Sequence, residues 1–197
     1  MSIYASEYFT IDKADICVDK SELARRLVVD KSFDLSAFDS ITSQAFSKIS
    51  AKCVYIRVPV DLCGDGVCGL GFAKVKSYDL YKNLSGCREA FVFAVTLGID
   101  TDRYLLRLSR TSQSSHFICD GYFSAAAESV CDKAEEKIKG TLSCKPRFSP
   151  GYGDLSLGFQ KDVLTALNAS KLCGISLTDS LLMTPQKSIT AVMGIKE

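Results

Sequence analysis

The most chemically loaded stretch of the chain is Arg147-Phe148-Ser149-Pro150-Gly151-Tyr152-Gly153. Arg147 offers a planar fork of N–H donors that matches a carboxylate. Tyr152 offers a ring face and a hydroxyl, suited to a flat heterocycle or a sulfonium. Pro150 and Gly151 make a turn, and Gly151 lets the backbone approach a ligand closely. A loop of this content between two helical segments suits a small anion or a zwitterion. The same residues also read as a surface ion pair through Arg147 beside a packed Tyr152, and the seven residues alone do not choose between these.

A second candidate is Cys63-Gly-Asp-Gly-Val-Cys68. A Cys-x4-Cys pair could hold a metal or form a redox disulfide. Zinc sites use two such pairs and the chain has one, so the expected structure is a tight turn whose glycines take positive φ. The glycine run GDGVCGLG fits neither a dinucleotide fingerprint nor a phosphate loop, because no Gly-Lys-Ser/Thr follows. His116 is the sole histidine. It cannot build a multi-histidine metal site and is expected as a surface or helix-entry histidine rather than as a general base. No Gly-x-Ser-x-Gly elbow is present, so hydrolase chemistry finds no support.

The elements that must position these residues follow from periodicity. Residues 1–18 read as extended. A helix is expected over 21–26, with Ser21 as candidate N-cap and Leu23 and Leu27 on one face. A second is expected over 33–50, where Phe38, Ile41, Ala45 and Ile49 fall three or four apart. Residues 53–60 alternate and are β-branched, which predicts a strand that lies on an edge or ends at Pro59. After the glycine turn, Ser77 can cap a short helix within 74–87. Residues 88–98 are a nearly continuous apolar run, a strand buried on both faces. Two helices follow, 100–111 with Tyr104, Leu105 and Leu108, and 117–139 with Phe123, Ala126, Ala127, Val130, Ala134 and Ile138 in a stripe. Residues 160–173 are helical, and 175–195 close the chain as short strands around Pro185. Mixed helices and strands without βαβ alternation predict an α+β fold.

Arg-x-x-Pro-Gly-Tyr at 147–152 resembles the S-adenosylmethionine-binding loop of the activation domain of cobalamin-dependent methionine synthase, in its stand-alone bacterial form. Further segments match in order. KSYDLYKNLSGC (76–87) with FVFAVTLGID (91–100) is similar to the Leu-x-Gly-Cys and Ala-x-Thr-(Ile/Leu)-Gly stretches of that family. DGYFSAAAESVCD (120–132) is similar to the helix whose glutamate, here Glu128, faces the cofactor. ISLTDSLLMTPQKSITAVMGI (175–195) is similar to the Leu-Thr-x-Ser-x-x-Met-x-Pro-x-x-Ser stretch near the domain's end. The resemblance covers roughly residues 75–195. Phe148 and Gly153 depart from it, standing where the family often has proline. The family's N-terminal aspartate has three candidate counterparts, Asp12, Asp15 and Asp19, and its distal C-terminal tyrosine would lie beyond Glu197.

The resemblance implies an antiparallel sheet with flanking helices and a surface groove for S-adenosylmethionine. In that groove Arg147 pairs with the methionyl carboxylate, and Ser149 and Gly151 give backbone contacts. Tyr152 packs beside the adenosyl or sulfonium part, and Glu128 faces the ammonium end. Before the resemblance is counted, Glu128 also reads as an ion-pair partner of Lys133 or Lys137. The resemblance also implies cobalamin carried by a partner, either a corrinoid protein or a methionine synthase lacking its own activation domain. A flavodoxin- or ferredoxin-type donor would reduce the oxidised corrinoid, which the cofactor's methyl group then traps. A non-catalytic docking or sensor module of the same fold, and a thiol or metal protein using Cys63 and Cys68, are the other classes to separate.

Composition agrees with this class. The chain of 197 residues suits one compact domain, with an N-terminal region over 1–74 and the activation-like region over 75–197. Apolar residues are 47%, enough for a substantial core. The 24 basic and 23 acidic residues leave no electrostatic footprint for nucleic acid or an anionic membrane. No basic-then-apolar leader and no spanning apolar run is visible. Nine dispersed cysteines, an odd number, are expected to be reduced thiols in a cytoplasmic setting.

Overall fold

The computed structural model describes residues 4–30 and 33–196. The extended stretch expected over 1–18 therefore falls partly, at residues 1–3, outside the described residues. In chain order the elements are β1 (Glu7–Thr10), α1 (Lys20–Arg26), α2 (Asp39–Ser47), β2 (Lys52–Pro59), β3 (Asp61–Leu62), β4 (Val67–Gly69), β5 (Lys74–Lys76) and α3 (Tyr78–Leu84). They continue with β6 (Glu89–Thr96), α4 (Ile99–Thr111), α5 (Gln113–Lys139), α6 (Gln160–Ala166), α7 (Ala169–Cys173), β7 (Ser176–Leu177), β8 (Met183–Thr184) and β9 (Ser188–Ile195).

A four-stranded antiparallel sheet in the order β1-β2-β6-β9 forms the middle layer. Its pleat sorts side chains by parity. Cys53, Phe91, Phe93, Val95, Ala191 and Met193 face one core, shared with α2, α4 and α5. Val54, Ile56, Val58, Ala90, Val92, Ala94 and Val192 face the other, shared with α3, α6 and α7. β6 is buried on both faces, which is why its sequence is an unbroken apolar run. Two strands of this sheet come from before residue 74 and two from after it. The α+β class expected from the sequence is the one observed.

Several elements follow the expected pattern and several depart from it. Every residue of the Phe123-to-Ile138 stripe lies in the core, and α5 begins a turn earlier, at Gln113, capped by Ser112. Ser77 caps α3 through its hydroxyl. The cap of α1 is Asp19 rather than Ser21: its carboxylate accepts from the Glu22 N–H at 2.8 Å, and Ser21 falls in the first turn and donates to that carboxylate. Residues 33–50 split into a 3-10 turn over Leu35–Phe38 and α2, with Ile49 buried beyond the helix end. Residues 160–173 split at Asn168, whose φ of +52° a helix interior does not accept and asparagine tolerates. Pro59 ends β2, which is an inner strand between β1 and β6. The short strands expected near the end are the β7–β8 hairpin followed by β9, which pairs with β6 along eight residues. Among the described residues no helix is long and apolar enough to cross a membrane.

Candidate functional site

The loop bearing Arg147 is held at both ends. Its first half runs antiparallel beside β9: the Lys145 N–H donates to the Gly194 carbonyl at 2.8 Å, and Phe148 and Val192 exchange N–H bonds at 2.8 and 2.9 Å. Pro150 is buried and starts the turn. The Tyr152 N–H then donates to the Ser149 carbonyl at 3.0 Å, and the Gly151 N–H to the Leu155 carbonyl at 2.9 Å. Gly151 sits at φ +92°, the freedom its position in the turn requires.

The far end is pinned to α3. Asp154 accepts from the Tyr78 N–H at 2.7 Å, the Asp79 N–H at 3.2 Å and the Ser77 hydroxyl, while its own N–H donates to Asp79 at 3.2 Å. The Ser77 hydroxyl is the main cause that holds the Asp154 carboxyl below its ordinary value; burial opposes it, and the Tyr78 and Asp79 backbone donors add to the lowering. A side chain at Gly153 would be strained, because a Cβ would lie 2.2 Å from the Asp79 carboxylate at φ +51°.

Arg147 reaches from this loop onto one face of α5. It donates to Asp132 at 2.7 Å, to Glu128 at 2.9 Å and to Glu135. The three acids are spaced four and three residues apart, so a helix aligns them in a row. Burial works against the arginine's charge, but the neighbouring Cys131 sulfur and the bonds to Glu135 and Asp132 hold its pKa above the ordinary value. The carboxylates are the partners that count at neutral pH, because burial pushes the Cys131 thiol up to about 12 and keeps it protonated.

Glu128 divides its oxygens. Oε2 accepts from Arg147, while Oε1 faces Arg26 Nη2 of α1 at 3.8 Å. Neither Lys133 nor Lys137 is its partner: Lys133 bonds Glu136 at 3.0 Å, and Lys137 lies over the Phe9 ring at 4.2 Å. Between α1 and α5 opens a groove of about 610 Å³, to which α1 brings Asp19, Glu22 and Arg26 and α5 brings Glu128, Ser129 and Asp132. Its lining carries five carboxylates against three cations.

The structure thus brings Arg147 and Glu128 together and sets Glu128 on the groove. Ser149, Gly151 and Tyr152 stand on the loop beyond Arg147 rather than among the groove's lining residues; Tyr152 is 59% exposed and meets Phe148 edge-on at 6.4 Å. Of the three N-terminal aspartates, Asp19 lines the groove, Asp12 caps the Ala14 N–H, and Asp15 borders a smaller hollow with Lys133 and Lys137. Sequence reading missed Arg26, Asp132, Glu135 and Asp154. The acidic row on α5 was visible as spacing; the contributions of Arg26 and Asp154 depend on tertiary approach and had no local signal.

The cysteine segment is a turn. Gly64, Asp65 and Gly66 all take positive φ, and Cys63 donates from Sγ to Asp61 at 3.2 Å while Cys68 is buried. All nine cysteines are unbridged. His116 lies in the first turn of α5. Among the described residues no three or more histidines, cysteines or acids cluster as a metal site would require.

No family model matches the sequence, and no curated protein matches it. Solved structures do match in fold. One is the crystal structure of the MetH reactivation domain bound to AdoHcy, with a TM-score of 0.70 over 96% of this chain and 78% of that one, at 12% sequence identity. This chain is therefore similar in fold to the MetH reactivation domain.

Proposed function

We propose that this chain binds S-adenosylmethionine at the groove between α1 and α5 and serves as a reactivation subunit for a separate corrinoid protein, such as a methionine synthase lacking its own activation domain. The observation that carries the reading is the meeting of Arg147 and Glu128. They come from separate segments 19 residues apart and pair at 2.9 Å beside an open groove, in a fold like that of the MetH reactivation domain.

The chemistry of the lining fits such a ligand. S-adenosylmethionine carries a sulfonium and an ammonium against one carboxylate, and a groove with more acids than bases favours a net cation. The groove's volume falls within the range of sites for ligands of this size. In this reading Glu128 faces the ammonium end and Arg147 stands beside the amino-acid end. The adenosyl or sulfonium part then extends out of the groove past Arg147 to the loop, where the backbone of Ser149 and Gly151 and the ring of Tyr152 flank it. When bound, the cofactor supplies the methyl group that traps the partner's corrinoid after a flavodoxin- or ferredoxin-type donor has reduced it. The chain's own residues supply position and polar surroundings, and this role calls for no protein base.

A melting titration tests the ligand. At a hundredfold excess over Kd, S-adenosylmethionine should stabilise the protein by ~2.7 kcal/mol. No shift at millimolar ligand would sink the reading. One observation, the commitment of Arg147 to three carboxylates, favours a second reading as a docking or sensor module without methyl transfer. Binding without turnover on a corrinoid protein supplied with reductant would select it.

A further inference from the structure

Two arginines flank Glu128, and they are differently placed. Arg147 has three carboxylate partners and a side chain 28% exposed, and it belongs to the loop rather than to the groove's lining. A fourth carboxylate there would crowd anions around one guanidinium or displace a bonded partner. Arg26 lines the groove and is 37% exposed. Its Nε donates to Glu22 at 2.6 Å, which orients the fork, and its Nη2 faces Glu128 Oε1 at 3.8 Å, beyond hydrogen-bond reach.

We infer that Arg26, not Arg147, receives the carboxylate of the ligand's amino-acid end, with Glu128 Oε1 taking the ammonium beside it. The inference rests on the functional reading above. An α-amino acid presents an ammonium and a carboxylate side by side, and a loosely opposed Glu–Arg pair presents their complements side by side. A pair this long and this exposed contributes little to stability, so a zwitterion that opens it gains two charge-assisted contacts at small cost. Arg147 is then a positioning residue. By holding Oε2 of Glu128 at 2.9 Å it leaves Oε1 directed at the groove.

The test compares S-adenosylmethionine with its decarboxylated analogue, which lacks the carboxylate and so carries one more net positive charge, by calorimetric titration at high salt, where general attraction to the acidic lining is screened. Wild type should prefer the intact ligand by about tenfold or more, the ratio expected for one charge-assisted bond. In Arg26→Gln that preference should vanish while affinity for the analogue holds. A preference that survives, or a variant that loses both ligands alike, overturns the inference, as does a wild type with no preference. If Arg147→Lys alone erases the preference, the carboxylate sits on Arg147 instead. If wild type binds neither ligand, the functional reading falls and takes this inference with it. A urea melt of each variant checks folding, and Arg26→Lys, which keeps charge and loses the fork, should lose most of the preference if Arg26→Gln melts early.

Discussion

Removing the Arg147 side chain leaves Glu128, Asp132 and Glu135 in a row on α5 without the guanidinium that ties them to the loop. The cost follows from exposure. Glu135 is 18% exposed against an arginine 28% exposed, so this partly buried charge-assisted bond contributes roughly 1.5–3 kcal/mol. Asp132 at 68% and Glu128 at 37% are screened by water, and their bonds contribute a few tenths of a kcal/mol each at most, of order ~0.5. Repulsion along the acidic row adds about 0.2–0.5 kcal/mol per neighbouring pair. Arg147→Ala should therefore destabilise the fold by ~2–5 kcal/mol. With a urea slope of about 2 kcal/mol/M, that lowers the unfolding midpoint by about 1–2.5 M. Arg147→Lys should fall between, because one ammonium cannot serve three carboxylates in the guanidinium's geometry. The assay is a urea melt followed by circular dichroism. A midpoint for Arg147→Ala within error of wild type would refute the view that this cluster braces the loop against α5.

Three other outcomes are expected. Gly153→Ala should cost at least ~1 kcal/mol in the same melt, because φ is +51° and the new Cβ meets the Asp79 carboxylate; an unchanged midpoint would mean that the loop does not sit on α3 as described. The folded-state pKa of Asp154 is depressed, so its stabilising contribution is present above the ordinary carboxylate value of 3.8 and is lost as pH falls through the lower folded value; Asp154→Asn should melt earlier at neutral pH and show a shallower acid limb, and parallel curves would contradict this. Thiol titration of denatured, unreduced protein should find all nine cysteines, while in the native protein at neutral pH Cys17 should label ahead of Cys63, whose thiolate is disfavoured by its hydrogen bond to Asp61; two missing thiols or the reverse order would count against these assignments.

What could be read from the sequence was what local periodicity encodes. The stripe from Phe123 to Ile138 and the apolar run at 88–98 gave α5 and β6 directly, because burial imposes a period of 3.6 on one and removes polar positions from the other. Asn168 and the Pro185 neighbourhood were harder. A single residue at positive φ divides a helix whose pattern continues across it, and β9 begins only three residues after a proline that suggested fragmentation. At the candidate site, Arg147 and Glu128 were singled out by their motif segments. Their mutual pairing, the placement of Arg26 on the groove and the Asp154 anchor arise from the approach of distant segments, which no window of sequence contains.

The hydrogen bonds between residues 143–148 and β9 have one more effect. Ser-Ile-Thr-Ala-Val-Met-Gly-Ile, the sequence of β9, has no charge and no proline, the kind of segment that recruits another chain when its outer ladder lies open. The loop occupies that ladder at Val192 and Gly194, and Arg147 clamps the loop to α5. At the opposite side of the sheet, β1 offers four residues, begins with Glu7 and has Lys137 over Phe9. The arginine brace is thus also a guard against intermolecular strand pairing, and a chain in which it fails exposes an uncharged, proline-free strand edge before the sheet itself has come apart.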